Sequence, residues 1–393
     1  MKEERKLYQV LRPKKKTVFD AILNYINGRY DIRLNNITQD IQISFKGESN
    51  WEKLAVNSFL IELTQANIKV TLSKLEIFLN SHLIPQFNPI REYFENLPKW
   101  DGEDHIVKLA GYLPLKEQAL FEHHFKKWLV RCVKCALEEH YFNKQCLVLV
   151  QSQQNSGKST WCRFLCPPEL RNYFAEDMTT DKDARIQLAR NFLINLDELS
   201  ILAKKEINAL KAYFSKTMIN ERLPYDRKNT SLHRICSFIG STNRTTFLND
   251  ETGSVRWLCF DLLGKINFDY QEEVDIKVVW AQAYHLAYFE TNFDPELSLQ
   301  DILQNEERNK PYREPSMEEE FLSKYFEISN DPKDFMSPSD IIARLNVINS
   351  RLNAVSMGKA LRSRGFERVK EPKRQVYGYL VRPLFKVSPL ELL

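Results

Sequence analysis

Hydrophobic positions recur with two different spacings along the chain, and these spacings predict helices and strands in separate regions. Within residues 17–87, VFDAILNYIN has the spacing of a helix, whereas YDIRLNN and IQISFKG alternate like two strands joined by the polar turn Ile37–Asp40. Two further helices are predicted around Trp51–Gln65 and Leu72–His82. Residues 1–87 are therefore expected to form a small α+β accessory unit that begins with a frayed basic arm.

From Gln145 the pattern changes to short apolar runs separated by segments with helical spacing. CLVLVQ, NFLINLDEL and RICSFIGSTN are predicted as buried strands, and an amphipathic helix is predicted from Lys158. Strands that alternate with helices indicate a parallel sheet with both faces covered. We thus predict an α/β protein whose core, residues 144–267, is built on a parallel sheet.

The segments on either side of this core are predicted to be mainly helical. NPIREYFENLPKWDG opens a helical connector over residues 88–143, and residues 268–331 are predicted as a helical segment and linker that includes the polar sequence QNEERNKPYREPSMEEE. In residues 332–393, SPSDIIARLN and VSMGKALRSRGF are predicted helices, and ERVKEPKRQVYGYLVRP is predicted as strand, turn and strand. Helix, helix and hairpin in this order predict a basic, winged-helix-like domain.

The amino-acid composition limits which class of protein the chain can belong to, and the surroundings of the cysteines limit their chemical role. No apolar run approaches the ~20 residues of a membrane span, and the opening MKEERKLYQVLRPKKK lacks a signal-peptide apolar region, so we expect a cytoplasmic protein without membrane contact. Cys132 and Cys135 form a C-x-x-C near His123, His124 and His140, which is one possible zinc site. Because that segment has helical spacing and no second cysteine pair follows, buried helix cysteines are the preferred interpretation.

The segment SQQNSGKST follows a predicted strand and opens a helix, which is the position of a phosphate-binding loop. Gly157 would let the backbone approach the phosphates, Lys158 would reach the β and γ phosphates, and the Ser159 hydroxyl would bind Mg²⁺. Ser152 replaces the first glycine of the usual motif, and Asn155 occupies a position where glycine is also common. ATP and Mg²⁺ are therefore the expected cofactors. The candidate nucleotide-binding residues are Ser152, Asn155, Ser156, Gly157, Lys158, Ser159 and Thr160.

Polar residues at later strand ends complete a candidate hydrolytic site. Asp197 would hold the metal together with the loop serine, and Glu198 would polarise the attacking water. Asn243, at the end of SFIGSTN, would orient the same water. Arg256 would stabilise charge on the transferred phosphate, either within the chain or from a neighbouring subunit, and Arg244 is an alternative for this role. The predicted catalytic residues are Glu198, Asn243 and Arg256, and the predicted activity is ATP hydrolysis.

Two basic regions are candidates for DNA contact, although the net charge is only +4. ERLPYDR and SLHRICSFIG can pair as a hairpin with Arg227 and Lys228 near its tip and Arg234 on the return strand. The second region is the C-terminal unit, whose basic residues suit phosphate contact. A solvated charged hairpin and a winged fold that binds protein are the alternatives. The candidate DNA-binding residues are Arg227, Lys228, Lys359, Arg362, Arg364, Lys373 and Arg374.

Between about Asn88 and Leu263, five motifs in order resemble the virulence-associated protein E (VapE-like) family of mobile genetic elements. They are NPIREYFENLPKWDG, SQQNSGKST, INLDEL, ERLPYDRK and GSTNRTTFLNDETGSVRW. That family is similar to superfamily 3 helicases and has an AAA+-type core. The resemblance implies a homo-oligomeric ring, commonly a hexamer, that moves on DNA with single-stranded DNA in its pore.

Residues and resemblance together lead to one hypothesis and two alternatives. The hypothesis is an ATP-dependent DNA helicase or translocase that serves the replication of a mobile genetic element. One alternative is a P-loop ATPase switch in defence or regulation that does not unwind DNA. The other is a DNA-binding scaffold whose ATP site is inactive because of the substitution at Ser152.

Overall fold

The computed structural model describes residues 16–178, 182–197, 199, 210–221, 229–248, 255–345, 352–371 and 376–384. The chain divides into two compact units. The first comprises Met1–Thr245 and Asp250–Pro311, and the second comprises Thr246–Asn249 and Tyr312–Leu393. No helix in the described ranges is long and apolar enough to cross a membrane.

The first part of the chain forms a small mixed sheet with three helices. Its elements are α1 (Val18–Arg29), β1 (Tyr30–Asn35), β2 (Ile41–Phe45), β3 (Glu52–Lys53), α2 (Val56–Gln65), α3 (Leu72–Leu79) and β4 (Gln86–Phe87). The strand order is β3-β2-β1-β4, and the predicted β1–β2 hairpin is confirmed by antiparallel pairing of Ile32 with Ile43. The predicted helix around Trp51 begins only at Val56, because Glu52 and Lys53 pair with β2 instead.

Three further helices lie between β4 and the central sheet, and the longest of them contains the C-x-x-C motif. These helices are α4 (Pro89–Glu95), α5 (His105–Ala110) and α6 (Gln118–Leu137). Asn88 caps α4 by accepting hydrogen bonds from the backbone N–H groups of Ile90 and Arg91. Cys132 and Cys135 are fully buried on α6, which confirms the prediction of core cysteines.

The central sheet has five parallel strands. Its elements are β5 (Cys146–Val150), α7 (Lys158–Phe164), β6 (Phe174–Glu176), α8 (Lys182–Arg190), β7 (Leu193–Leu196), β10 (Ser237–Thr242) and β11 (Trp257–Asp261). The strand order is β11-β5-β10-β7-β6. The predicted parallel sheet is confirmed, and β6 and β11 add edge strands that the apolar pattern did not reveal. After β5 the chain first builds one side of the sheet and then crosses to the other, so β5 lies at a topological switch point.

A separate two-stranded ladder joins β8 (Met218–Glu221) to β9 (Thr230–His233). A hairpin is therefore present, but its first strand differs from the predicted one: only Glu221 of ERLPYDR belongs to the ladder, and Thr230, predicted in the turn, pairs with Glu221. Residues 222–228 lie outside the described residues. Arg234, placed by the sequence on a DNA-facing strand, is instead fully buried. Its guanidinium donates to the backbone carbonyls of Asn143, Tyr213, Phe214 and Cys236. Arg234 is therefore part of the core, because it satisfies carbonyl groups that converge from distant segments.

Three helices follow the central sheet along the chain and complete the first unit. They are α9 (Tyr270–Glu273), α10 (Ile276–Tyr288) and α11 (Leu299–Asn309). Trp280 on α10 is fully buried and donates its indole N–H to the carbonyl of Leu165, at the end of α7. The second half of α11 lies in the sequence predicted as polar linker, and the first turn of this helix is capped by a reciprocal bond pair between Ser298 and Asp301.

The second unit has a small antiparallel sheet centred on its last strand. Its elements are α12 (Met317–Tyr325), β12 (Phe326–Ile328), β13 (Phe335–Met336), α13 (Pro338–Leu345), α14 (Ala354–Ser363), β14 (Arg368–Glu371) and β15 (Val376–Pro383). β15 pairs with β12, β13 and β14. The two predicted helices and the predicted final hairpin are present. The unit begins before the predicted boundary at residue 332, because Leu322 and Phe326 pack into its core.

Candidate nucleotide-binding site and basic surface

The loop between β5 and α7 has a backbone conformation that requires glycine at one position. Gly157 begins α7 with a φ of +94°, and Asn155 has a φ of +57°. A Cβ atom on Gly157 would lie only 2.7 Å from Cζ of Phe268. The loop is tied to the segment after the sheet, since the Ile266 N–H donates to the Ser156 carbonyl at 3.0 Å. Gly157 is thus required both for its dihedral angle and for the close approach of Phe268.

Lys158 places a buried positive charge beside this loop. Its Nζ lies 2.9 Å from Oδ1 of Asn243 and 3.0 Å from Oγ of Ser156, and it also contacts the carbonyls of Gln151 and Gln153. The side chain is only 6% exposed. Burial lowers the pKa of the Lys158 ammonium from its usual value, and the negative charge of Asp197 opposes that shift. The charge is therefore fixed by oxygen atoms of the loop and of the neighbouring strand end.

Asp197 lies directly after β7 and accepts hydrogen bonds from two serine hydroxyls. Oγ of Ser159 is 2.8 Å, and Oγ of Ser241 is 2.5 Å, from Oδ1 of Asp197. The carboxyl ends of β7 and β10 meet here because Leu196 and Gly240 pair in register. A carboxylate and a hydroxyl from two elements form the kind of oxygen donor set that Mg²⁺ prefers.

These side chains surround one pocket of about 360 Å³ at the carboxyl end of the sheet. Every predicted nucleotide-binding residue except Ser152 lines it, together with Asp197 and Asn243. Ser152 is exposed and does not line the pocket. The full lining is Gln154, Asn155, Ser156, Gly157, Lys158, Ser159, Thr160, Arg163, Asp197, Ser241 and Asn243.

Arg163 and Ser241 are pocket residues that the sequence analysis missed. Arg163 follows Ser159 by four residues, so both lie on one face of α7. Its guanidinium pairs with Glu176 on β6 and lies 3.7 Å from Oδ2 of Asp197. Ser241 precedes Asn243 by two residues on β10, so strand alternation could have identified it.

Two further predicted catalytic residues are not among those that line the pocket. Glu198 lies outside the described residues. Arg256 immediately precedes β11, and its carbonyl accepts from the backbone N–H of Cys146 at the start of β5. The pocket follows the other end of β5, about 16 Å away at the usual rise per residue. Arg256, whose Nε donates to Oγ of Ser215, is therefore not brought to the phosphate loop of its own chain.

The predicted basic surface of the second unit is partly described. Lys359 and Arg362 are exposed on α14, and Arg364 is exposed at its end. Lys359 and Arg362 are three residues apart and share a helix face with Val355, which is 72% exposed. The other predicted DNA-binding residues, Arg227, Lys228, Lys373 and Arg374, lie outside the described residues.

A second basic and aromatic face, on the β14–β15 hairpin, was not predicted. Arg368 and Lys370 alternate outward on β14, and the Arg368 guanidinium lies 4.2 Å from the ring centroid of Tyr377. Tyr377 is 51% exposed. The hairpin contacts α14 directly, since the Tyr379 hydroxyl donates to the carbonyl of Gly358 at 3.2 Å. The exposed face thus combines cations with an aromatic ring.

Comparison with known proteins adds a family and a fold. A family model described as the virulence-associated protein E-like domain matches residues 94–314. An apo structure of the NrS-1 C-terminal region (305–718) aligns with a TM-score of 0.53 and 12% identity, covering 94% of this chain and 100% of that chain. The A form apo structure of the same region gives 0.49 and 12%, covering 93% and 98%. Among curated proteins, none matches this sequence.

Proposed function

The chain belongs to the virulence-associated protein E-like family, and from this premise we propose that it is an ATP-dependent DNA helicase or translocase that serves the replication of a mobile genetic element. Its core would be an AAA+-type ATPase. The observation that carries the proposal is the convergence of the Lys158 ammonium, the Asp197 carboxylate and Asn243 on one pocket beside a glycine-containing loop.

The pocket suits the polyphosphate of ATP. The N-terminus of α7 and the Lys158 ammonium supply positive charge to the phosphate groups. The Ser159 hydroxyl and the Asp197 carboxylate, which share a hydrogen bond, would hold Mg²⁺. When bound, Mg²⁺ neutralises phosphate charge and so supports attack by water.

Hydrolysis in this proposal uses residues from two copies of the chain. Glu198 polarises the attacking water, and Asn243, held against Lys158, orients it. Arg256 lies at the amino-terminal end of the sheet strands, whereas its own pocket lies at their carboxyl ends, so it would serve the site of a neighbouring copy. This arrangement favours a homo-oligomeric ring, which the similarity to superfamily 3 helicases suggests is a hexamer.

DNA contacts are assigned to two regions of the chain. Arg227 and Lys228, which lie between β8 and β9 in the sequence, would grip single-stranded DNA in the ring pore. Lys359, Arg362 and Arg364 would contact duplex DNA, together with Lys373 and Arg374. The exposed face of Arg368, Lys370 and Tyr377 supports this assignment, because cations bind phosphates and aromatic rings stack on bases.

The test is displacement of a labelled strand from a forked duplex in the presence of ATP and Mg²⁺. We expect displacement by the unaltered protein and none by Lys158→Ala, with Lys144→Ala as a matched control. The double variant Arg227→Ala/Lys228→Ala should lose displacement and keep basal hydrolysis. If the protein hydrolysed ATP but DNA did not stimulate the rate and no strand was displaced, the result would instead identify an ATPase switch.

A further inference from the structure

Two helices of the first unit meet at a cluster remote in sequence from the nucleotide loop. His123 and His124 lie on α6, and Asp301 lies in the first turn of α11. The ring of His124 is fully buried, yet neither of its nitrogens has a hydrogen-bond partner in the part of the chain that the structure describes. Buried polar atoms are nearly always satisfied, so this ring requires a physical explanation.

The two oxygens of Asp301 have different surroundings. Oδ1 lies 2.9 Å from Nε2 of His123. Oδ2 accepts from the Lys127 ammonium at 3.1 Å and from the backbone N–H of Ser298 at 2.9 Å. One oxygen is thus fixed by two donors, and the other lies against the His123 imidazole. Carboxylates that bind metals are typically oriented in this way by hydrogen bonds to the second oxygen.

We propose that His123, His124 and Asp301 form a zinc-binding site. One candidate ligand atom from each residue lies within 4.8 Å of the other two. A zinc ion at its usual bond lengths holds ligand atoms roughly 3.4 Å apart, which small rotations of the side chains would achieve. Zinc would account for one of the two bare nitrogens of His124, because a neutral imidazole donates the lone pair of one ring nitrogen to the ion.

The site has room for a fourth ligand and a route for the ion. The side chain of His123 is 46% exposed, whereas that of Asp301 is 9% exposed. Water can therefore reach the site from the His123 side and complete a tetrahedral set of three protein ligands and one water. Cys132 and Cys135 do not belong to this cluster, so the site differs from the cysteine-based one that the sequence suggested.

A bound ion would join α6 to α11, and α11 in turn braces the edge of the central sheet. The side-chain amides of Asn305 and Asn309 both donate to the carbonyl of Trp257, the first residue of β11. That residue directly follows Arg256. Zinc would therefore stabilise the first unit and the strand that carries the proposed arginine, without touching the nucleotide.

The test is the zinc content and zinc affinity of the full, untagged chain without nucleotide. After equilibration with micromolar free zinc, elemental analysis should give about one zinc per chain, the occupancy of a single site. His123→Ala, His124→Leu and Asp301→Asn should each weaken zinc binding at least about tenfold in competition with a coloured chelator. His140→Ala, an exposed histidine beyond α6, is the matched control and should keep full zinc binding.

Three further measurements separate this site from the nucleotide pocket and from a misfolded variant. Asp197→Asn should keep the zinc, and Co²⁺ in place of zinc should give a tetrahedral absorption spectrum that His123→Ala removes. Circular dichroism should show that the His123→Ala protein remains folded. No bound zinc in the unaltered chain, or zinc that Asp197→Asn removes and His123→Ala leaves in place, would overturn the proposal.

Discussion

Gly157 is required in the nucleotide loop for two reasons, its backbone conformation and its close packing against Phe268. Its φ of +94° is costly for any residue with a side chain, by about 1–2 kcal/mol. The Phe268 ring leaves no space for a methyl group. We expect Gly157→Ala to weaken ATP binding at least about tenfold, as measured by calorimetric titration, since 1.4 kcal/mol corresponds to that factor.

Gly264→Ala is the matched control for this substitution. Gly264 lies in the same connection after β11, and an added Cβ would lie 3.8 Å from Pro114, an ordinary contact. The control should bind ATP like the unaltered chain. Equal affinity of the Gly157→Ala protein would show that the loop does not need its left-handed residue.

Asp197 and Glu198 are predicted to separate metal binding from water activation. Asp197→Asn should lower the affinity for ATP in the presence of Mg²⁺, because it removes a charged oxygen beside Ser159. Glu198→Gln should keep that affinity and slow hydrolysis at least about a hundredfold, because the amide cannot polarise water. Nucleotide binding and single-turnover hydrolysis, measured side by side, test both roles. The opposite pattern would show that the two roles are exchanged.

The residues of the loop could be predicted because a motif in a strand–helix context fixes them in sequence. Lys158, Ser159, Asp197 and Asn243 do lie at one pocket. Alternation along β10 could have identified Ser241, but Arg163 could not be chosen from the sequence, because its contacts with Glu176 and Asp197 depend on which strands are neighbours. That order is set by the whole sheet, and no local pattern reports it.

At the scale of elements, the sequence predicts the hairpin after β7 with the wrong first strand and with an incorrect role for Arg234. The predicted second strand is present, but its partner is Met218–Glu221 and not the predicted ERLPYDR, of which only Glu221 is paired. Arg234 is buried because its guanidinium donates to carbonyl groups in the loop after α6 and at residues 213–214. The alternation of apolar and polar residues within a strand cannot reveal such contacts between distant segments. From the sequence alone, an arginine that is buried in the core can thus be mistaken for one that contacts nucleic acid.

Replacing Arg234 should destabilise the first unit strongly. Arg234→Leu would leave several buried carbonyls without a donor, at about 1–3 kcal/mol for each. We expect a loss of at least about 3 kcal/mol in the free energy of unfolding, measured by urea denaturation. Arg244→Ala, which removes an exposed arginine, should change it by less than about 0.5 kcal/mol. A stable Arg234→Leu protein would contradict the core assignment.

At the scale of the whole molecule, the division into units could be predicted only in outline. The polar composition of QNEERNKPYREPSMEEE suggests a linker, yet α11 and α12 occupy much of it. A few apolar residues, Leu322 and Phe326, are enough to place α12 and β12 in the second core. Composition describes a segment only as an average over its residues, whereas packing depends on the positions of its few apolar side chains.

The proposed ring predicts that Arg256 acts on the site of a neighbouring copy. The start of β11 and the phosphate loop lie at opposite ends of two neighbouring strands, β11 and β5. Arg256→Ala and Lys158→Ala proteins should each be inactive, and mixing them should restore part of the ATP hydrolysis, because some interfaces join an intact Lys158 to an intact Arg256. Native mass spectrometry verifies that mixed oligomers form. No recovery in verified mixed oligomers would exclude a role in trans.

The measurement that bears most directly on the central claim is the steady-state rate of ATP hydrolysis with and without single-stranded DNA. The unaltered chain should hydrolyse ATP in the presence of Mg²⁺, and single-stranded DNA should raise the rate. Lys158→Ala, folded by circular dichroism, should lower the rate at least about a hundredfold, because it removes the fixed charge that faces the phosphates. Undiminished hydrolysis by folded Lys158→Ala, or a rate that single-stranded DNA leaves unchanged, would contradict the account of an ATP-driven DNA motor.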